Sequence, residues 1–286
     1  MRVLVFGRSG QVARALAAAV PGDVGARFLG REAADLADPV ACARRVAEAG
    51  CDAVVIAAAH TAVDRAEAEE DLARRINADA PGAIGRAAAA RGLPVVHLSS
   101  DYVLAGTGSA PQPPDAPTGP LSAYGRTKLG GEVALRASGA RHLILRTSWV
   151  FSGTGGNFVA AMLRAGTARP VVRVVADQRG GPTPAAALAE AVFVAARALV
   201  AGHPGGTHHF AGTPDVSWAE FARAIFAAAA MDVAVEEIAT ADYPTPARRP
   251  ANSRLDCTGF ERAFGLARPD WRAHLPGAIA ALRAAA

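Results

Sequence analysis

Cysteine is scarce in this chain: Cys42, Cys51 and Cys257 are the only three in 286 residues, and no pair has C-x-x-C spacing. That argues against a disulfide framework or a thiolate zinc site and leaves them as core or incidental thiols. Aromatic residues make up 6%, with three tyrosines and three tryptophans. No run of about 20 apolar residues is present to span a bilayer. The apolar stretch Met1 to Gly7 is too short for a signal peptide. No Lys/Arg block or aromatic-interleaved basic strip occurs, so the net charge of +4 favours small anions without marking a nucleic-acid footprint. The expectation is a cytoplasmic protein with neither nucleic acid nor membrane as partner.

What is present is globular. Half of the residues are apolar and 20% are charged, enough for one large domain and a smaller lobe. Arg2–Phe6, 26–29, 53–59, 94–99 and 142–147 read as short apolar strands. Helical stretches alternate with them at 11–20, 39–49, 67–91 (with a kink or break at Pro81) and 123–137. This alternation predicts a Rossmann-type doubly wound parallel sheet. After Thr147 the rhythm changes, to helices over 158–165, 185–200 and 272–285 and strands over 171–175 and 207–210. The expected division is a dinucleotide-binding domain over 1–150 and a smaller substrate-binding lobe over most of 151–286, with 177–200 returning to the first. Ser217-x-x-Glu220 is a capping-box signature for one more helix.

Tyr124 and Lys128 stand four apart on one helical stretch, hence on one face. A cation beside a phenol pulls its pKa below the usual value of about 10 and makes Tyr124 a proton donor near neutral pH. By itself the spacing is weak. Gly7-x-x-Gly10-x-x-Ala13 lies between the first strand and first helix, where glycines let backbone approach a diphosphate. No acid is evident after the second strand. Arg8 and Arg31 lie nearby instead, an arrangement suited to a ribose 2′-phosphate and favouring NADPH over NADH. Ser99-Ser100-Asp101-Tyr102 closes the fourth strand, at the carboxyl edge where doubly wound sheets bind ligands.

Taken together, the glycine loop, the strand-end serine and Tyr-x-x-x-Lys resemble an extended short-chain dehydrogenase/reductase. Further blocks make the likeness narrower. Phe6–Val12, Ala57–Asp64, Ser100–Val103, Tyr124–Leu129, Arg146–Phe151, Asn157-Phe158, Asp177-Gln178 with Pro182-Thr183, and Tyr243–Pro250 are similar to the dTDP-4-dehydrorhamnose reductase family. The likeness runs essentially the whole chain, to Pro269-Asp270-Trp271. It implies reduction by NADPH or NADH of the C4 keto group of a dTDP-4-keto-6-deoxyhexose. It also implies that Ser100 lies beside the carbonyl, that Tyr124 donates the proton, and that Lys128 assists it and holds the nicotinamide ribose. Gly7, Gly10, Gln11 and Val12 would meet the diphosphate, Asp35 and Leu36 the adenine, and Ala58, Ala59, His60 and Thr61 the cofactor cleft. Asp101, Trp149 and Asn157 would contact substrate. Arg248 and Arg249, in a proline-stiffened loop, are expected at the nucleotide.

Three positions depart from the family pattern. Ile56 stands where Asn is frequent, Gly30 where the ribose-contacting acid falls, and Ala15 replaces one residue tied to magnesium-bridged dimers. No metal is therefore expected, and a homodimer stays open. Two other readings remain: a 4-ketoreductase for a different deoxysugar, and a non-catalytic dinucleotide-binding regulatory subunit.

Overall fold

A computed structural model describes residues 1–285. The first half alternates as expected: β1 (Arg2–Phe6), α1 (Gln11–Ala18), β2 (Gly25–Leu29), α2 (Pro39–Glu48) and β3 (Ala53–Ile56). Short helices α3 (Val63–Ala66) and α4 (Glu70–Arg74) follow, then a π turn (Arg75–Asp79), α5 (Ala80–Ala89) and β4 (Val95–Ser100). A 3₁₀ turn (Asp101–Val103) leads to α6 (Ala123–Arg136) and β5 (His142–Thr147). The second half contains β6 (Val150–Phe151), α7 (Phe158–Ala168), β7 (Val171–Val175), β8 (Arg179–Gly180), β9 (Thr183–Pro184) and α8 (Ala185–Val200). The chain ends through β10 (Gly205–His209), β11 (Val216–Ser217), α9 (Trp218–Ala228), β12 (Ala234–Ile238), β13 (Asn252–Ser253), α10 (Thr258–Phe264) and α11 (Trp271–Ala284).

The main sheet has six parallel strands in the order β2-β1-β3-β4-β5-β10. Both faces are apolar, as helices on both sides require. Val3, Val5, Val55, Val96 and Leu145 pack with Leu16 of α1 and Leu188, Val192 and Leu199 of α8. Leu4, Val54, Ile56 and Ile144 pack on the other face with Val46 of α2 and Ile84 of α5. The return to this domain therefore extends past α8 to β10, which pairs with β5 along the sheet edge.

Two local differences from the sequence expectation shape the site. β3 stops at Ile56, short of residue 59, because the N–H groups of Ala57 and Ala58 both turn to the carbonyl of Phe6. Residues 67–91 form no single helix: the backbone passes through α4, the π turn and α5. Pro81 has no N–H to offer the carbonyl four residues earlier, that of Asn77. Helix α6 approaches that carbonyl so closely at Gly131 that a Cβ there would overlap the oxygen.

The smaller lobe packs α7, α9 and α11 around Phe151, Phe221, Ile225, Trp271 and Leu275. The two-stranded pair β7–β12 lies against Phe226. Ser217 and Glu220 form the predicted capping box at α9. The sequence patterns missed β12 and α10. β12 is short and largely solvated, and α10 has only seven residues before Gly265 ends it in the left-handed conformation. Among the described residues, no helix is long and apolar enough to cross a membrane.

Candidate active site

β1 lies between β2 and β3, so the loops leaving β1 and β3 diverge and open a crevice at the carboxyl ends of the strands. The cleft there measures about 570 Å³. Gly7 closes the turn with φ 129°, and a Cβ on it would press the Ala58 amide at 3.2 Å. Gly10 faces open space, and a Cβ would meet nothing within 4 Å. It caps α1 without any side-chain cap, leaving the first N–H groups of the helix free for an anion. These features fit a dinucleotide diphosphate. Gln11, Val12, Arg31, Asp35, Leu36, Ala58, Ala59, His60 and Thr61 also line this cleft.

An acid that the sequence pattern did not reveal stands beside the glycine loop, after β2. Glu32 folds over Gly30 and pairs with Arg8 at 3.0 Å. The glycine-loop arginine is therefore already partnered. The backbone amide of Glu32, and then Arg8, hold its carboxyl below the usual range.

The catalytic candidates meet at the cleft's inner wall. Ser122 caps α6 by accepting from Gly125 N–H, and the Glu67 carboxylate accepts from the N–H of Ala123. This orients the first turn so that Tyr124 faces the end of β4. Ser100 Oγ lies 2.9 Å from Asp101 Oδ1 and accepts from the Tyr102 N–H at 3.2 Å. Lys128 lies four residues after Tyr124, but its Nζ donates to the Leu98 carbonyl at 2.7 Å. Burial pushes the Tyr124 phenol up to about 12, opposed by the Ser100 hydroxyl and reinforced by Asp101. The expected fall below 10 is not found, because desolvation dominates and Lys128 is committed elsewhere. Burial lowers Lys128 to about 8. His97 lies beneath the same helix and is held neutral by burial and then by Lys128.

A buried ionic network anchors α6 from behind. Glu132 accepts from Ser99 Oγ at 2.6 Å and receives both Nε and Nη2 of Arg146 at 2.8 and 2.7 Å. The Glu132 and Arg146 side chains are 0% and 2% exposed. Burial by itself raises the Glu132 carboxyl, but Arg146 and Ser99 outweigh it and hold it below the usual range.

The lobe residues divide into two groups. Asp101 and Trp149 reach the cleft wall, whereas Asn157, Arg248 and Arg249 do not line it. Asn157 caps α7, accepting from Ala160 N–H and donating to the Ser152 carbonyl. Arg249 forms a bidentate pair with Asp64, tying the C-terminal loop to α3. Trp149 has φ 49°, left-handed for a bulky residue. Its indole stacks on Trp218 with centroids 3.5 Å apart at 10°.

The whole length of this arrangement has relatives. Residues 1–284 match the family model described as RmlD substrate binding domain. The dTDP-4-dehydrorhamnose reductase of Sinorhizobium fredii is 44% identical over 278 residues, covering 95% of this chain and 94% of its own. The chain belongs to the dTDP-4-dehydrorhamnose reductase family. Among solved family structures, that from Clostridium acetobutylicum is 33% identical, with TM-score 0.92 and coverage of 99% of this chain and 100% of its own. The reductase of Bacillus anthracis, solved in complex with NADP, is 31% identical with TM-score 0.89, covering 96% of each chain.

One residue at this family site escaped sequence reasoning. Asn77, 1% exposed, accepts from the His60 N–H at 2.8 Å and donates to the His60 carbonyl and to Thr127 Oγ1, each at 3.1 Å. It joins the cofactor-side loop to the Tyr/Lys helix from inside the π turn. No periodic signal marks such a turn; the proline four residues later was the one available hint.

Proposed function

We propose that the chain reduces the C4 keto group of dTDP-4-dehydrorhamnose to give dTDP-rhamnose, using NADPH or NADH. The carrying observation is the convergence of Ser100, Tyr124 and Lys128 on the wall of the cleft that the Gly7–Gly10 loop also lines. Gly7, Gly10, Gln11 and Val12 would hold the diphosphate, and Ala58 to Thr61 the middle of the cofactor. The bound nicotinamide supplies hydride to C4.

The protein's own part is to manage the oxygen. As hydride arrives, the carbonyl oxygen acquires alkoxide character and needs a proton. Tyr124 supplies it from its hydroxyl. A phenol held near 12 keeps its proton until a more basic alkoxide develops, so transfer is downhill when it is needed. Ser100 offers a second hydrogen bond to the same oxygen. Lys128 contributes a fixed positive charge beneath both, held by Leu98, and is the group proposed to meet the nicotinamide ribose. Trp149 provides an apolar wall for the sugar nucleotide. Arg248, exposed on the loop beside the Asp64–Arg249 tie, is the arginine free to reach its diphosphate.

The direct test is oxidation of NADPH by the purified chain with dTDP-4-dehydrorhamnose, followed by identification of the sugar product. Stoichiometric formation of dTDP-rhamnose supports the assignment. Absence of turnover with active relatives as controls overturns it.

A further inference from the structure

Ser100 has one hydroxyl proton and two lone pairs. One lone pair is occupied by the Tyr102 N–H at 3.2 Å. One proton and one lone pair remain for Asp101 and a substrate oxygen. Asp101 is 3% exposed, and its Oδ1 lies 2.9 Å from Ser100 Oγ. Its other oxygen, Oδ2, is buried with no hydrogen-bond partner within 3.5 Å.

This inventory permits two arrangements. When Asp101 is ionised it can only accept, so it takes the Ser100 proton, and the Ser100 hydroxyl is not available to a carbonyl. When Asp101 carries a proton it donates to Ser100 Oγ and fills its remaining lone pair. The Ser100 proton is then free and can turn to the substrate oxygen beside Tyr124.

We infer that Asp101 is a positioning residue whose protonation reverses the Ser100 hydrogen bond and releases the Ser100 hydroxyl toward the substrate carbonyl. No covalent step is added; one proton moves onto Asp101 from solvent before the chemistry and can leave after it. Burial raises the Asp101 carboxyl to about 6, opposed by the Ser253 and Ser100 hydroxyls and the Asp101 and Tyr102 amides, so the switch lies near working pH. Ionisable and charged groups packed around it are Tyr102 on the same turn, Tyr124 and Lys128 on α6, and the Asp64–Arg249 pair behind Tyr102. Lys128, at about 8, titrates above it. Cofactor and sugar filling the cleft exclude more water and move the Asp101 midpoint upward.

This inference rests on the ketoreductase function proposed above, and the test separates the two. The first arm requires no turnover. The Asp101 carboxyl is followed by infrared difference spectroscopy across pH, assigned by its loss in Asp101→Asn. Ser100→Ala withdraws the donor that stabilises the carboxylate, so the midpoint is expected to rise by about one unit. Ser100→Thr, which keeps a hydroxyl, is expected to restore it. An unchanged midpoint in Ser100→Ala overturns the inference.

The second arm is the pH profile of kcat/KM with NADPH and dTDP-4-dehydrorhamnose. The wild type is expected to fall about tenfold per pH unit above the Asp101 midpoint. Asp101→Asn is neutral and offers an N–H to Ser100, as the protonated acid does. Its profile is expected to be flat there, keeping only the higher limb from Lys128. A lower limb retained in Asp101→Asn overturns the inference. If the wild type does not turn over this sugar, the proposed function fails, and the infrared arm alone decides the role of Asp101.

Discussion

Lys128 Nζ donates to the carbonyl oxygen of Leu98 at 2.7 Å, and this bond ties the ammonium to the strand beneath the cleft instead of to the phenol of Tyr124. Helical spacing brings the two residues to one face; the buried strand edge decides what the amine touches. Lys128 is also the only lysine in the chain, every other one of the 30 Lys and Arg residues being arginine. A compact ammonium on a flexible stem fits where a planar guanidinium does not.

That uniqueness makes its ionisation directly readable. Protein labelled with 13C-lysine should give one side-chain resonance, titrating near the value of about 8 that burial imposes. The folded state releases this proton earlier than the unfolded chain, whose lysine titrates near 10.5. Between these values the unfolded chain binds more protons, so this group makes stability rise with pH. A midpoint near 10.5 in the native protein contradicts this account.

Tyr124→Phe removes the proposed proton and leaves the ring packing against Tyr102, whose ring centroid lies 5.4 Å away. Turnover should fall by about 10²–10⁴-fold, equivalent to roughly 3–5 kcal/mol of barrier. Thermal denaturation should shift little. The check is single-turnover NADPH oxidation beside a melting curve, and near-wild-type turnover ends the Tyr124 assignment.

Glu132 and Arg146 form the buried ion pair behind α6, and losing Arg146 leaves the buried carboxylate only Arg136 and Ser99. Arg146→Met should destabilise the protein by about 3–5 kcal/mol in urea unfolding. Glu132 has its folded pKa held low, chiefly against burial by Arg146. Its contribution is present above the unfolded carboxyl pKa and is lost as pH falls through the folded one. The variant should therefore show less acid sensitivity than the wild type between neutral pH and the acid transition.

Asp101 has the opposite sign. Its folded pKa is raised from 3.8 to about 6 by burial, so ionisation costs stability as pH rises through that window. A shift of this size corresponds to about 3 kcal/mol. Asp101→Asn should be more stable than wild type at pH 7 to 8 by up to about that amount, with the difference closing below the unfolded value. Melting temperatures across pH provide the measurement.

Glu32 pairs with Arg8, the glycine-loop arginine expected to suit a 2′-phosphate. Glu32→Gln removes the carboxylate and frees the guanidinium. The NADPH-to-NADH preference in kcat/KM should rise roughly severalfold, consistent with an exposed pair. An unchanged ratio places the 2′ group away from this pair.

Much of the framework was legible because it repeats. Continuous apolar runs at β1, β4 and β5 mark strands buried on both faces, the stretches between them keep the helical period of 3.6, and a glycine loop in that context has few other uses. Ser100, Asp101 and Tyr124 reach one wall because β4 and α6 are neighbours. The same logic failed where the backbone leaves its period: at the π turn that carries Asn77, at the early end of β3, and at the seven-residue α10. Arg249 read as a diphosphate ligand because its loop is basic; Asp64, 185 residues earlier, is the carboxylate it meets.

By itself, then, the sequence determined the order of strands and helices of the sheet domain, the position of the glycine loop and which residues are candidates to move a proton. Those properties are local, set by backbone sterics, side-chain period and the intrinsic chemistry of each residue. Only the tertiary structure decided how these groups are charged and whom they touch. Desolvation by distant segments lifted Tyr124 and Asp101 and lowered Lys128, and the Leu98 carbonyl rather than a neighbour on α6 captured the ammonium. Burial and hydrogen-bond partnership depend on which parts of the chain come together, and that is not encoded at any single spacing.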